Sequence, residues 1–257
     1  MLTRMVVHDR FEQEAVWGHL ADDPKIQHRA GVFEQMIPAG VTSVLDVGCG
    51  DGAITNRLGE HWDVTGVDLS TTALEHLRTT AVRGSATDLP FADRSFDLVL
   101  SSEMLEHMTD ADYRAAVTEM TRVARSHVLI SVPYREDLGF RTIRCPQCGW
   151  RGHVWGHRRS FTPESLLVAL DGFTAVETRV FGPLQEPHWP AWLLWVSHNL
   201  LRSYYSAPGQ NPMCERCGNV DFRAVRAISP ALRRMNARLQ RGRRPRMPFW
   251  MAVLATR

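Results

Sequence analysis

Three constellations in this 257-residue chain could do chemistry. The first is Asp46-Val47-Gly48-Cys49-Gly50-Asp51-Gly52, a run that follows Val44 and Leu45 and so opens a glycine-rich turn straight out of an apolar strand. Glycines there let the backbone approach a ligand closely, and Asp46 would face a cationic group and repel a pyrophosphate. The second is a pair of Cys-x-x-Cys-Gly knuckles, Cys145/Cys148 and Cys214/Cys217. Two intervening residues let both thiolates of a pair bind one ion, and two pairs complete a tetrahedral zinc site. The third is Glu103-x-x-Glu106-His107, with His157 further on before Phe161-Thr162. Carboxylates and imidazoles together suit a general base or a divalent cation.

Further acids follow the glycine turn. Asp68 ends the run Val64–Asp68 about twenty residues beyond Gly48, where a carboxylate can bond both hydroxyls of a ribose. Asp88, in Gly84–Phe91, is placed to accept a bond from an adenine amine. The elements that must position these groups are strands at Val44–Val47, Val64–Asp68, Phe96–Leu100, Val128–Val132, Ala175–Phe181 and Trp250–Ala255, with a weaker one at Ala81–Gly84. Helices are expected at 9–18, 24–37, 53–58, 71–78 and 111–124, with another opening at Thr162-Pro163. Strands alternating with helices give an α/β fold with a mostly parallel sheet and helices on both faces.

As an ordered set these motifs resemble the class I, S-adenosylmethionine-dependent methyltransferases of the type 11, ubiquinone-pathway-like group. The resemblance implies a Rossmann-like, seven-stranded sheet whose last strand, Trp250–Ala255, runs antiparallel. It also implies that Asp46 and Gly48 lie by the methionine part, Asp68 holds the ribose and Asp88 the adenine. Cys49, Gly50, Leu69, Thr87, Leu89 and Ser102 join them in the cofactor wall, Cys49 as a small packing residue. Glu103, Glu106, His107 and His157 resemble the metal motif of small-RNA 2′-O-methyltransferases, which would bring magnesium or another divalent ion. An ordinary histidine base at His107 or His157, and a supporting role for the whole loop, remain alternatives.

The core is expected over residues 1–182 and 247–257, with the first knuckle at 139–160. Residues 183–246 form an insertion with a Trp-rich helix at 190–205, the second knuckle and a basic stretch of Arg233, Arg234, Arg238, Arg241, Arg243, Arg244 and Arg246. Four thiolates leave no open coordination position, so zinc there is structural; His153 or His157 could instead complete a site with the first pair. A 44% hydrophobic and 23% charged composition at net charge +2 excludes a disordered chain, and no run of about twenty apolar residues suggests a membrane span. With no signal core and no disulfide pattern, the expected location is the cytoplasm.

The expected reaction is O-methylation of a small metabolite, sugar or lipid-linked glycan. Ribose 2′-O-methylation of RNA, with the zinc module and basic stretch as the RNA contact, is the alternative, and a non-catalytic scaffold is a third. No Asn/Asp-Pro-Pro-Tyr sequence follows the fourth strand, which argues against methylation of base amines. The exposed face of the Trp-rich helix is either lid packing or an interfacial surface that leaves peripheral membrane contact open.

Overall fold

The computed structural model describes residues 22–257 except 187, 207–211, 224 and 242–245. The helix expected at 9–18, with Arg243 and Arg244, lies outside the described residues. Strands β1 (Ser43–Val47), β2 (Asp63–Asp68), β3 (Thr80–Arg83), β4 (Phe96–Ser102), β5 (Ala124–Pro133), β8 (Thr174–Leu184) and β9 (Pro248–Thr256) form one sheet in the order β3-β2-β1-β4-β5-β9-β8. A hairpin of β6 (Thr142–Arg144) and β7 (Arg151–His153) stands apart. The neighbours from β3 to β5 run parallel, and β9 runs antiparallel to both β5 and β8. This is the seven-stranded, mostly parallel Rossmann-like sheet that the family resemblance implied.

Alternation within β1 shows why two layers of helices are needed. Leu45 and Val47 enter one core with Val67, Val99 and the helix α4 (Asp110–Val123), through Ala116, Val117, Met120 and Val123. Val44 enters the other with Val64, Leu98 and α1 (Pro24–Met36), through Phe33 and Met36. Both faces of each central strand are therefore apolar and covered, as parallel sheets require. Thr109 caps α4 by accepting from the Asp112 amide, and Thr162 with Ser165 forms a capping box at α5 (Pro163–Leu167). The helix after the glycine turn covers Thr55–Leu58, and the one after β2 covers only Thr71–Leu74. Beyond Leu74 the chain closes on i→i−3 bonds, His76 N to Ala73 O and Leu77 N to Leu74 O, so the regular helix expected to residue 78 stops early.

Asp97 clamps β1 to β4. One of its oxygens accepts from Thr42 N at 3.0 Å, Thr42 Oγ1 at 2.7 Å and Ser43 N at 3.1 Å, while Arg125 pairs with the other. These bonds, the Thr42 hydroxyl first, hold the carboxyl well below the usual range. A depressed acid stabilises the fold above its unfolded pKa of about 3.9 and loses that contribution as pH falls. Asp97→Ala is expected to lower stability by about 2–3 kcal/mol, the cost of bonds to a charged acceptor, with a smaller loss at low pH. Thermal unfolding across pH checks it.

A third apolar cluster joins the β6–β7 hairpin to residues 183–246. Phe140, Ile143 and Val154 from the β6–β7 hairpin pack with Trp189, Leu193, Tyr205, Ile228 and Leu232. The Trp-rich helix is α6 (Ala191–Trp195) followed by a π turn at Val196–Leu200, and ends at Arg202 with φ +49, short of residue 205. The first half of the basic stretch is α7 (Pro230–Leu239), capped by Ser229, with Leu232 and Asn236 buried. Among the described residues no helix is long and apolar enough to cross a membrane.

Candidate active site and four-cysteine centre

At the carboxyl ends of β1 and β2, Gly48, Gly50 and Gly52 take φ values of +74, +54 and +74, which L side chains rarely adopt. Gly48 also leaves no space for a Cβ, which would stand 2.5 Å from Met104 Sδ. Asp68 accepts from Gly50 N at 3.0 Å and Ser70 N at 2.9 Å, one bond per oxygen, so each oxygen keeps a lone pair for a ligand hydroxyl. Asp46 is 3% exposed and accepts from Thr55 Oγ1 at 2.7 Å. Burial, then the charge of Asp68, outweigh that bond and push its carboxyl up to about 7. Burial and the nearby acids push the Cys49 thiol up, and it packs close to Gly66, the surroundings of a small packing residue. Ser85 and Thr87 bond within the loop that carries exposed Asp88, and Leu89 N donates to Glu119 at 2.8 Å. Leu69, just past the end of β2, is 43% exposed.

The turn after β4 carries the second cluster. Glu103 adopts φ +56, its amide donates to Ser131 O, and a short 3₁₀ helix over Leu105–His107 follows. Glu103 Oε2 accepts from Trp250 Nε1 at 2.8 Å and faces Arg29 at 3.7 Å. That guanidinium lies over the Trp250 ring, 4.3 Å from its centroid, and bonds Ser102 Oγ at 3.3 Å. Glu106 is fully buried and neither of its oxygens has a partner among the described residues. Burial and the neighbouring Glu103 raise its pKa well above the usual carboxylate range.

The chain returns to this turn from β7. Arg158 N donates to Glu106 O at 2.7 Å, which sets the His157 ring 4.8 Å from that of His107, nearly perpendicular. Glu106, His107 and His157 each offer a donor atom within 4.8 Å of the others. The structure thus brings together the four residues of the third constellation.

It also adds Glu136 and Arg141, which no motif announced, and His153, expected only as an alternative ligand of the first cysteine pair. Glu136 is buried, with His157 Nδ1 at 2.5 Å, Arg141 Nε at 3.0 Å and His153 Nε2 at 3.4 Å. Burial alone would raise its carboxyl, but the two imidazoles beside it, His153 in contact and His157 hydrogen-bonded, outweigh it and bring it to about 2. His153 Nδ1 accepts from the His157 amide at 3.2 Å, so its proton sits on Nε2, toward Glu136. With Nδ1 engaged by Glu136, Nε2 is the nitrogen that His157 has left for a proton or a ligand. Three carboxylates (Glu103, Glu106, Glu136) face two guanidiniums (Arg29, Arg141), so one negative charge calls for a proton, an imidazolium or a metal ion.

The four cysteines meet beyond the β6–β7 hairpin. Cys145 and Cys217 sulfurs lie 3.7 Å apart, Cys148 and Cys214 sulfurs 3.5 Å, and all four fall within 4.8 Å. A tetrahedral zinc with Zn–S of about 2.3 Å separates its sulfurs by about 3.8 Å, whereas a disulfide needs about 2.05 Å. The two knuckles are alike. Gly149 N donates to Cys145 O and Gly218 N to Cys214 O, with φ of +74 and +72 at the glycines. His153 and His157 turn toward Glu136, so neither joins the cysteines as a ligand.

Residues 44–127 match the family described as a methyltransferase domain. The demethylmenaquinone methyltransferase of Staphylococcus aureus is 33% identical over 129 residues, 45% of this chain and 47% of that protein. The chain thus spans about half the length of the curated relatives it matches. A SAM-dependent methyltransferase from Archaeoglobus fulgidus superposes with TM-score 0.56 at 17% identity, covering 98% of this chain and 100% of that one. An S-adenosylmethionine-dependent methyltransferase from Mesorhizobium loti gives 0.52 at 19%, covering 90% and 100%. Residues 44–127 are thus similar to a methyltransferase domain, and the chain as a whole has the fold of these methyltransferases.

Proposed function

We propose that this protein is an S-adenosylmethionine-dependent O-methyltransferase of a small metabolite, sugar or lipid-linked glycan, working in the cytoplasm, where free thiols persist. The observation that carries the hydroxyl acceptor is buried Glu106, with both oxygens unpartnered beside His107 and His157 at the end of β4. Asp46, Gly48, Gly50, Asp68 and Asp88 would hold the cofactor, with Cys49, Leu69, Thr87, Leu89 and Ser102 around it. When bound, it supplies an electrophilic methyl group. The chain's own groups must then free the acceptor oxygen of its proton. His157, held through Nδ1 by Glu136, can take that proton on Nε2. A divalent ion such as magnesium at Glu106, His107 and His157 would acidify the hydroxyl instead, and would balance the excess carboxylate charge. The four cysteines would hold a structural zinc that pins residues 183–246 to the hairpin of the core.

Methyl-labelled cofactor and fractionated cell extract would yield the acceptor. Glu106→Ala or His157→Ala is then expected to cut turnover roughly 10²-fold or more. Mild chelation that stops turnover while zinc stays bound selects the metal; insensitivity with one dominant histidine selects the base. Unchanged turnover in variants of Glu103, Glu106, His107 and His157 would overturn the assignment.

A further inference from the structure

We infer that the outer face of α6 and its π turn, with Leu201 and Arg202, is a docking surface for an anionic lipid bilayer. The inner face of this helix is spoken for: Leu193 and Ser197 are fully buried, and Leu193 lies in the insertion core with Trp189. On the outside, Trp192 is 55% exposed, Trp195 56% and Leu200 64%, with Leu201 continuing the strip. Single exposed apolar side chains are ordinary on a protein surface, but four within ten residues are a patch. Tryptophan in particular settles at the boundary between headgroups and acyl chains, with its ring in the apolar side and its N–H in the polar side.

The charges around the strip point the same way. Arg151 donates to Asn199 Oδ1 at 3.2 Å and lies over the Tyr204 ring. Arg226 donates to Leu201 O at 3.3 Å, and exposed Arg202 is part of the segment itself. Among the described residues no carboxylate pairs with any of the three, whereas nearby Arg223 and Arg233 are matched by Asp221 and Glu186. Three unmatched guanidiniums beside an apolar strip fit acidic headgroups over an apolar layer. A second copy of the chain would set these arginines against each other. RNA would stack on flat rings, and Leu200 and Leu201 offer none, while a bilayer accepts aliphatic and aromatic groups alike.

The inference stands whatever the methyl acceptor proves to be, since it concerns a face on the insertion and not the clusters at the strand ends. The test is flotation of the full chain with phosphatidylcholine vesicles made with and without phosphatidylglycerol. Binding is expected only with phosphatidylglycerol, weakening as salt rises, with a blue shift of tryptophan emission. Trp192→Ser with Trp195→Ser, and separately Arg151→Gln with Arg226→Gln, should each lower the partition coefficient at least tenfold. Unchanged melting shows that these exposed positions leave the fold intact. No preference for the acidic vesicles, or variants that bind as well as the parent, would overturn it. So would a self-association that the tryptophan variants abolish, or a single-stranded RNA that binds through these arginines while vesicles do not.

Discussion

The purified protein is expected to carry one equivalent of zinc, and Cys148→Ser or Cys217→Ser to remove it and to unfold residues 183–246. Sulfur separations of 3.5 and 3.7 Å suit one ion shared by both knuckles, and four thiolates so close would repel without it. Binding of structural zinc is worth roughly 10–16 kcal/mol in isolated modules, and there binding and folding are one event. Residues 183–246 have little else to rely on, since among the described residues they give only five buried members, Trp189, Leu193, Tyr205, Ile228 and Leu232, to the cluster they share with the hairpin. The sheet keeps its own two cores, so the loss should show as an early melting transition ahead of the main one. Cofactor affinity should change little, because Asp46 lies in β1, Asp68 ends β2 and Asp88 sits in the loop after β3. Catalysis should fall further, because the hairpin that carries Cys145 and Cys148 also sets His153 against Glu136, and Glu215 of the second knuckle pairs with Arg158 beside His157. Elemental analysis of fresh, reduced protein decides it: a parent without zinc would sink the centre, as would a serine variant that keeps it.

Asp68→Ala should weaken binding of S-adenosylmethionine and its demethylated product by roughly 2–3 kcal/mol, about 30- to 150-fold, the worth of charge-assisted bonds to hydroxyls. Since Asp68 also holds Gly50 N and Ser70 N, part of the loss comes from a loosened turn. Asp68→Asn keeps an acceptor oxygen and should recover some of the affinity. Asp46 adds a pH dependence. Buried first, and then facing Asp68, its carboxyl is raised to about 7. From its unfolded value of about 3.9 up to that point the folded chain holds a proton that the unfolded chain has released, so this group lowers stability as pH rises through the window. A cationic ligand favours the carboxylate, so affinity should climb between about pH 6 and pH 8, and Asp46→Asn should flatten the climb. Calorimetry at several pH values tests both; equal affinity of parent and Asp68→Ala for both ligands would remove the cofactor assignment.

Much of the fold was legible because its signals are local. The seven strands were readable from short β-branched and apolar runs bounded by turn residues. The caps at Thr109 and Thr162 marked helix starts, and Gly48 and Asp68 marked the ends of the first two strands. Each needs only a few neighbouring residues to be read. Helix ends were less legible, because the tightening after Leu74 and the left-handed Arg202 depend on what the chain packs against.

The sequence by itself determined which residue types could act: the glycine turn with its acids, the Glu-x-x-Glu-His turn, and two knuckles able to share an ion. Only the tertiary structure decided how they are used. Glu136 carries no motif, and it faces His157 because the segment after β5 meets the segment after β7. Arg29 reaches Glu103 from a helix far earlier in the chain. His153 serves Glu136 and not zinc, a choice fixed by the backbone N–H of His157 that claims its Nδ1. The physical reason is common to all three. Charge and hydrogen-bond partners are set by distance in space, and the burial that makes an unmatched carboxylate costly exists only once distant segments have closed around it.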